Sequence, residues 1–187
     1  IIEVIYRSHR IKQFGGIQEE MKIVVKFGGS SLASAEQFKK VGKIIKKDEA
    51  RKYVIPSAPG KRTPDDTKVT DLLYSCYGQA ILEEDECEEN FESLLAAIKK
   101  RYEEIISGLG LTLSLDDEFR TIRENFSKKI GRDYAASRGE YLNGIIMAAY
   151  LGYEFIDAAE VILFDAAGNF DAEKTDKLLS KRLAKTE

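Results

Sequence analysis

The chain has 187 residues, 43% of them apolar, which suffices for one sizeable core and argues against a disordered tail. Its 29 basic and 32 acidic residues leave a net charge of −3, so it has no broad cationic footprint for nucleic acid, and small molecules or proteins are the expected partners. No apolar run approaches the roughly 20 residues that cross a bilayer, and the opening residues lack the order of a secretory signal, so we expect no membrane partner and a cytoplasmic location.

Residues 1–20 scatter apolar positions among Arg7, His9, Arg10 and Lys12 with neither a helical nor a strand period. They are expected to be an N-terminal extension outside the fold, with the folded domain over residues 21–187. Met21 is a candidate start, and Gln18-Glu19-Glu20 before it can be encoded by purine-rich codons of the ribosome-binding kind. Residues 1–20 then read as translated upstream sequence; the plainer alternative is an ordinary terminal extension.

From Lys22 to Phe27 the apolar residues predict a short strand, ended by Gly28-Gly29-Ser30-Ser31. Ser34 with Gln37 three residues on predicts a capped helix carrying Phe38, Val41, Ile44 and Ile45 on one face. Tyr53 to Ile55 predicts a second strand, broken by Pro56 and a polar loop from Ser57 to Lys68. Helical spacing follows through Leu72, Leu73 and Tyr77, then Leu94 to Ile106, then Phe119 to Ile130. Tyr141 to Leu151 predicts a further helix, Tyr153 to Ile156 and Val161 to Phe164 two short strands, and Asp171 to Lys185 a last amphipathic helix. Strands alternating with helices predict an α/β fold with a mostly parallel, narrow sheet.

Cys76 and Cys87 make no CxxC or Cys/His pattern and His9 is the single histidine, so no resident metal and no Cys/His catalysis are expected. Cys76 reads as a helix-packing residue, and the acidic run Glu83 to Glu89 as a solvated face.

Lys26-Phe27-Gly28-Gly29-Ser30 carries the clearest chemistry. It sets a cation at the end of a strand and two glycines where backbone N–H groups can approach an anion. It is neither GxxxxGK[ST] nor GxGxxG, and alone it describes a strand-end lysine and a tight turn more readily than a phosphate site. Thr70 and Ser57 likewise read as an N-cap and a turn residue, and Ser137 with Glu140 as a capping box.

Taken together and in order, four segments resemble the amino acid kinase superfamily, and within it the aspartate kinases. Lys26-Phe27-Gly28-Gly29-Ser30-Ser31 is similar to the family's opening strand and glycine loop. Ser57-Ala58-Pro59-Gly60 resembles its loop after the second strand, Thr70-Asp71-Leu72-Leu73 its substrate-contacting helix start, and Ser137-Arg138-Gly139-Glu140 its Ser-x-Gly-Glu segment. Asp157 and Phe170 fall where the family has further residues near the substrate, and Pro56 stands where it usually has a small aliphatic or β-branched residue.

The resemblance implies a three-layer α/β/α fold and transfer of the γ-phosphoryl group of ATP, with Mg2+ as part of the co-substrate, to the side-chain carboxylate of L-aspartate. The acyl phosphate product would feed lysine, threonine and methionine synthesis. Lys26 would be the catalytic residue and, with Gly28, Gly29, Ser30 and Ser57, would hold the phosphates, while Thr70 and Glu140 would hold the amino acid. A carboxylate is already ionised at neutral pH, so no general base is needed. The family forms homo-oligomers. Its Gly-Arg-Gly-Gly-Ser-Asp and Thr-Asp-Val-Asp-Gly segments and its regulatory ACT domains have no counterpart here, so residues 21–187 are expected to be a partial catalytic domain with little activity alone. The alternatives are a sibling amino acid kinase and a non-catalytic fragment or subunit that needs a complementary chain.

Overall fold

The computed structural model describes residues 2–6, 22–82 and 85–186, with side chains over 22–82 and 88–186. One sheet holds three strands in the order β1-β2-β3, where β1 is Ile2–Tyr6, β2 is Ile23–Phe27 and β3 is Tyr53–Pro56. β2 and β3 run parallel, Val25 beside Val54 and Phe27 beside Pro56. Helix α1 (Ala35–Ile45) makes the crossover that a parallel pair requires.

β1 corrects the expectation that residues 1–20 stand apart from the fold. Ile2–Tyr6 lies antiparallel to β2 on the side away from β3, with Ile2 opposite Phe27 and Tyr6 opposite Ile23. A strand paired on one side presents a row of unpaired N–H and C=O groups on the other, and the run Ile-Glu-Val-Ile-Tyr supplies a ladder for them. The described sheet thus holds one parallel and one antiparallel pair. The remainder of that opening segment, 7–20, lies outside the described residues, as does Met21.

Alternation along β2 decides where the core forms. Ile23, Val25 and Phe27 are buried on one face, while Val24 is half-buried and Lys26 exposed on the other. Ile55 of β3, beside Lys26, is 50% exposed, so this second face, the one a third layer would cover, is open among the described residues. The buried face packs on α1, α2 (Val69–Ala80), α3 (Asp85–Leu109), α4 (Asp116–Ser127) and α5 (Arg132–Leu151) in one continuous apolar cluster. Phe38, Val41 and Ile45 of α1 and Leu95, Ile98, Tyr102 and Ile105 of α3 supply it at helical spacing. α3 stops at Gly110 (φ 72°), where Leu111 N–H reaches Ile106 O and Gly110 N–H reaches Ser107 O, the paired bonds of a Schellman end.

Three expectations in the second half change. α5 begins at Arg132, so Ser137 and Glu140 lie inside a helix and do not cap it; the Ser137 hydroxyl donates back to Tyr134 O. Tyr153 to Ile156 is not a strand. A strand needs a ladder partner, and this run, past the left-handed Gly152, instead lays the Phe155 ring on Tyr141 and beside Gly144 of α5. Val161 to Phe164 is not a strand either: Val161 closes the short helix α6 (Ala158–Val161), and Phe164 makes a single antiparallel bridge to Phe170. The last helix is present as α7 (Ala172–Leu183), capped by Asp171, which accepts from Lys174 N–H.

Candidate functional site

After β2 the chain coils at once into a 3₁₀ turn over Gly29–Leu32, with Ser31 N–H donating to Gly28 O at 3.0 Å. The loop that follows β3 lies directly against this turn. Ser57 N–H donates to Phe27 O at 3.0 Å and Gly60 N–H to Gly29 O at 2.8 Å, so two loops after adjacent parallel strands are tied backbone to backbone. The approach leaves no room for side chains: a Cβ on Gly29 would sit 2.7 Å from Ala58 O, and one on Gly60 would sit 2.6 Å from the carbonyl carbon of Gly29. This is the position at the carboxyl ends of parallel strands where α/β folds place ligands.

α5 and α2 hold the loop from the other side. The Glu140 carboxylate accepts from Ala58 N–H at 3.3 Å, the Asn143 amide donates to Ser57 O at 2.6 Å, and Val69 N–H at the start of α2 donates to Pro59 O at 3.1 Å. Asn143 is wholly buried and its Oδ1 has no hydrogen-bond partner. Behind α5, the buried Tyr102 hydroxyl donates to Gly139 O at 2.9 Å. Burial pushes that phenol well above its usual range, and the Glu140 charge adds to the effect.

A third element braces the far end of the loop. Arg101 of α3 is 3% exposed; its Nη2 donates to Gly60 O at 2.5 Å and its Nη1 meets Asp66 Oδ2 at 2.7 Å. Arg62 closes the group, binding Asp66 through Nε at 3.0 Å and Glu104 through Nη1 at 2.9 Å. Hydrogen bonding from Arg62, reinforced by Arg101, holds the Asp66 carboxyl well below the usual carboxylate range, while burial lowers the Arg101 guanidinium.

Residues 21–185 match the family profile described as Amino acid kinase family. This chain belongs to that family. Among the relatives of this chain, Aspartokinase 3 of Bacillus subtilis is 40% identical over 149 residues, 76% of this chain and 32% of the relative. Aspartokinase 1, chloroplastic, of Arabidopsis thaliana is 28% identical over 88% of this chain and 30% of its own length. The crystal structure of Clostridium acetobutylicum aspartate kinase superposes with a TM-score of 0.77 at 48% identity, covering 84% of this chain and 35% of the other. E. coli aspartokinase III, in complex with aspartate and ADP, shares the fold at a TM-score of 0.65 and 19% identity. The chain thus spans about a third of the length of the curated relatives it matches.

The structure brings Gly28, Gly29, Ser30, Ser57 and Glu140 together around the paired loops, with Thr70 in the first turn of α2 next to the Val69–Pro59 bond. Lys26 stands one residue before Phe27, exposed on the face of β2 turned away from the core. Asp157 and Phe170 take other work: Asp157 caps α6 by accepting from Ala159 N–H, and Phe170, 56% exposed, packs edge-on against Phe164. Cys76 is buried, its thiol pushed up to about 12 by burial and by the charge of Glu92, which suits packing and not reactivity. No cluster of three or more His, Cys, Asp or Glu side chains suited to a metal occurs among the described residues, and none of their helices is long and apolar enough to cross a membrane.

Sequence reasoning passed over Asn143, Arg101 and Asp66. Asn143 and Arg101 carried a faint signal, a polar residue at a core-facing position of an amphipathic helix: Asn143 follows Leu142, and Arg101 precedes Tyr102 and falls three residues after Ile98. Asp66 sits in a polar loop and carried none.

Proposed function

We propose that this chain supplies the phosphoryl-transfer cradle and the amino acid site of an aspartate kinase, moving the γ-phosphoryl group of MgATP to the side-chain carboxylate of L-aspartate. The observation that carries the reading is the tie between the Gly29 turn and the Ser57–Gly60 loop, with Glu140 at its edge. The Bacillus and Clostridium relatives, both named as aspartate kinases, support this substrate over those of sibling kinases.

The chemistry sets an anionic nucleophile against an anionic phosphate, so charge repulsion is the main obstacle. A lysine about 4 Å from the transferring group offsets on the order of 4 kcal/mol at an effective dielectric near 20, the role we give Lys26. Gly28, Gly29 and Ser30 offer backbone N–H groups at the head of the 3₁₀ turn, and Ser57 faces them from the neighbouring loop. Glu140 uses one carboxylate oxygen on Ala58 N–H and keeps the other for the substrate ammonium, with Thr70 beside it. Mg2+ travels with the nucleotide, held mainly by phosphate oxygens, as is usual in such sites. The reaction draws on free amino acid and ATP, in keeping with the cytoplasmic location we assign, and its acyl phosphate would serve lysine, threonine and methionine synthesis. Because the chain spans about a third of its relatives and leaves Ile55 open, full activity is assigned to the chain joined with the remaining length that those relatives carry.

The test is aspartate- and ATP-dependent acyl phosphate formation, trapped with hydroxylamine, for the chain alone and for the chain joined to the remainder of a relative. Activity in the joined protein, lost in Lys26→Ala, supports the reading. Equal activity of parent and Lys26→Ala removes Lys26 from the mechanism, and acyl phosphate made from glutamate but not aspartate moves the chain to a sibling substrate.

A further inference from the structure

We infer that Arg101 is a positioning residue for the glycine turn, acting through Gly60. The inference rests on the reading of that turn as the phosphoryl-donor site.

Gly60 is the link. Its N–H holds Gly29 O at 2.8 Å, and its own carbonyl is held by Arg101 Nη2 at 2.5 Å, so one peptide-length of loop lies between α3 and the turn. Close contact makes the link stiff, because a Cβ on Gly60 would lie within 2.9 Å of Gly29 C, Ser30 N and Gly29 O alike. Any slackness at Gly60 O is thereby passed directly to the backbone that would meet the phosphate.

Arg101 is itself fixed by Asp66, which Arg62 holds from the opposite side. The two fork nitrogens of Arg101 serve two acceptors that belong to the same loop, Gly60 O and Asp66 Oδ2, and thus set the span between them. A planar guanidinium does this with little loss of freedom per bond, whereas a lysine ammonium on a flexible stem defines one point.

Stability alone is a poor account of the arrangement. Arg101 Nε is buried without a partner, and a buried ion pair is often no better than a well-packed apolar replacement. The described residues put a 3% exposed cation under a loop where methionine would fill the same space. What methionine lacks is the bond to Gly60 O.

The experiment compares amide hydrogen exchange in the parent chain, Arg101→Met and Arg101→Lys at Gly60, with Ile122 in α4 as a distant reference. Arg101→Met leaves Asp66 paired with Arg62, so no buried charge is stranded. We expect exchange at Gly60 to rise about tenfold with Ile122 within about twofold, and Arg101→Lys to recover part of the loss. Unchanged exchange at Gly60, or an equal rise at Ile122, overturns the inference, the second by showing general loosening. Should Arg101→Met fail to fold, Arg101→Lys carries the same comparison with a smaller factor, about threefold. ATP titration of the chain joined to the remainder of a relative, followed at the Gly28, Gly29 and Ser30 amides, separates the two readings. No shift in the parent defeats the donor-site reading and leaves Gly60 exchange to decide the role of Arg101; a shift in the parent that Arg101→Met weakens supports both.

Discussion

The close approach of Gly60 to Gly29 sets it apart from Gly78, and the two glycines of the same chain carry opposite forecasts. Gly60→Ala drives a Cβ into peptide backbone that has nowhere to retreat, so we expect a loss of about 1–3 kcal/mol in urea unfolding, together with loss of the Gly60–Gly29 bond. Gly78, inside α2, has nothing within 4 Å of a built Cβ, and Gly78→Ala should gain about 0.5–1 kcal/mol by restricting the unfolded chain. Asp66 adds a pH dependence. Its folded pKa is depressed below the unfolded value of about 3.9, so its contribution is complete above that value and is lost as pH falls through it toward the folded pKa. The difference in unfolding free energy between parent and Asp66→Asn, about 2 kcal/mol from charged hydrogen bonds, should hold steady from neutral pH to about pH 5 and shrink below about pH 4.

Among the elements, two serines with the same sequence signature do different things. Ser34 caps α1, its hydroxyl accepting from Gln37 N–H, whereas Ser137 sits in the second turn of α5 and bonds back to Tyr134 O. Ser34→Ala should cost about 1 kcal/mol and Ser137→Ala should be neutral or slightly stabilising, a contrast that thermal unfolding of the two variants measures directly. Both were legible as Ser-x-x-Gln and Ser-x-x-Glu. What separates them is that α5 starts five residues earlier at Arg132, after Gly131 at a φ of 138° that favours glycine, and no side-chain capping pattern in the sequence marks that start. The runs at Tyr153 to Ile156 and Val161 to Phe164 failed for a related reason. Local β-propensity states what a segment would do beside a partner strand, and among the described residues neither run has a ladder partner beyond the one bridge from Phe164 to Phe170.

At the scale of the whole molecule, burial is lopsided. One sheet face lies under five helices, while the face of Lys26 and Ile55 is open and β3 forms an edge of the described sheet. A half-exposed isoleucine on an edge strand favours association between chains. Light scattering of the isolated chain should rise with concentration, and Ile55→Thr should reduce that rise while moving the unfolding midpoint little, since the side chain is already half in water. An unchanged concentration dependence in Ile55→Thr would place the association elsewhere.

Residue order alone was enough for the local chemistry: a strand running into Gly28-Gly29, a capped α1, the amphipathic α2 to α4, the last helix, and a family resemblance carried by four short segments. These are readable because periodicity, caps and glycine turns act over a few residues. It took packing to show that Ile2–Tyr6 pairs with β2, that Ser137 and Glu140 ride inside a helix, and that Asn143, Arg101 and Asp66 converge on one loop. Each of those depends on a partner dozens of residues away, or on a strand edge left open by other elements. Such contacts are selected by which groups remain unsatisfied once the helices have packed, a quantity no short window of sequence contains.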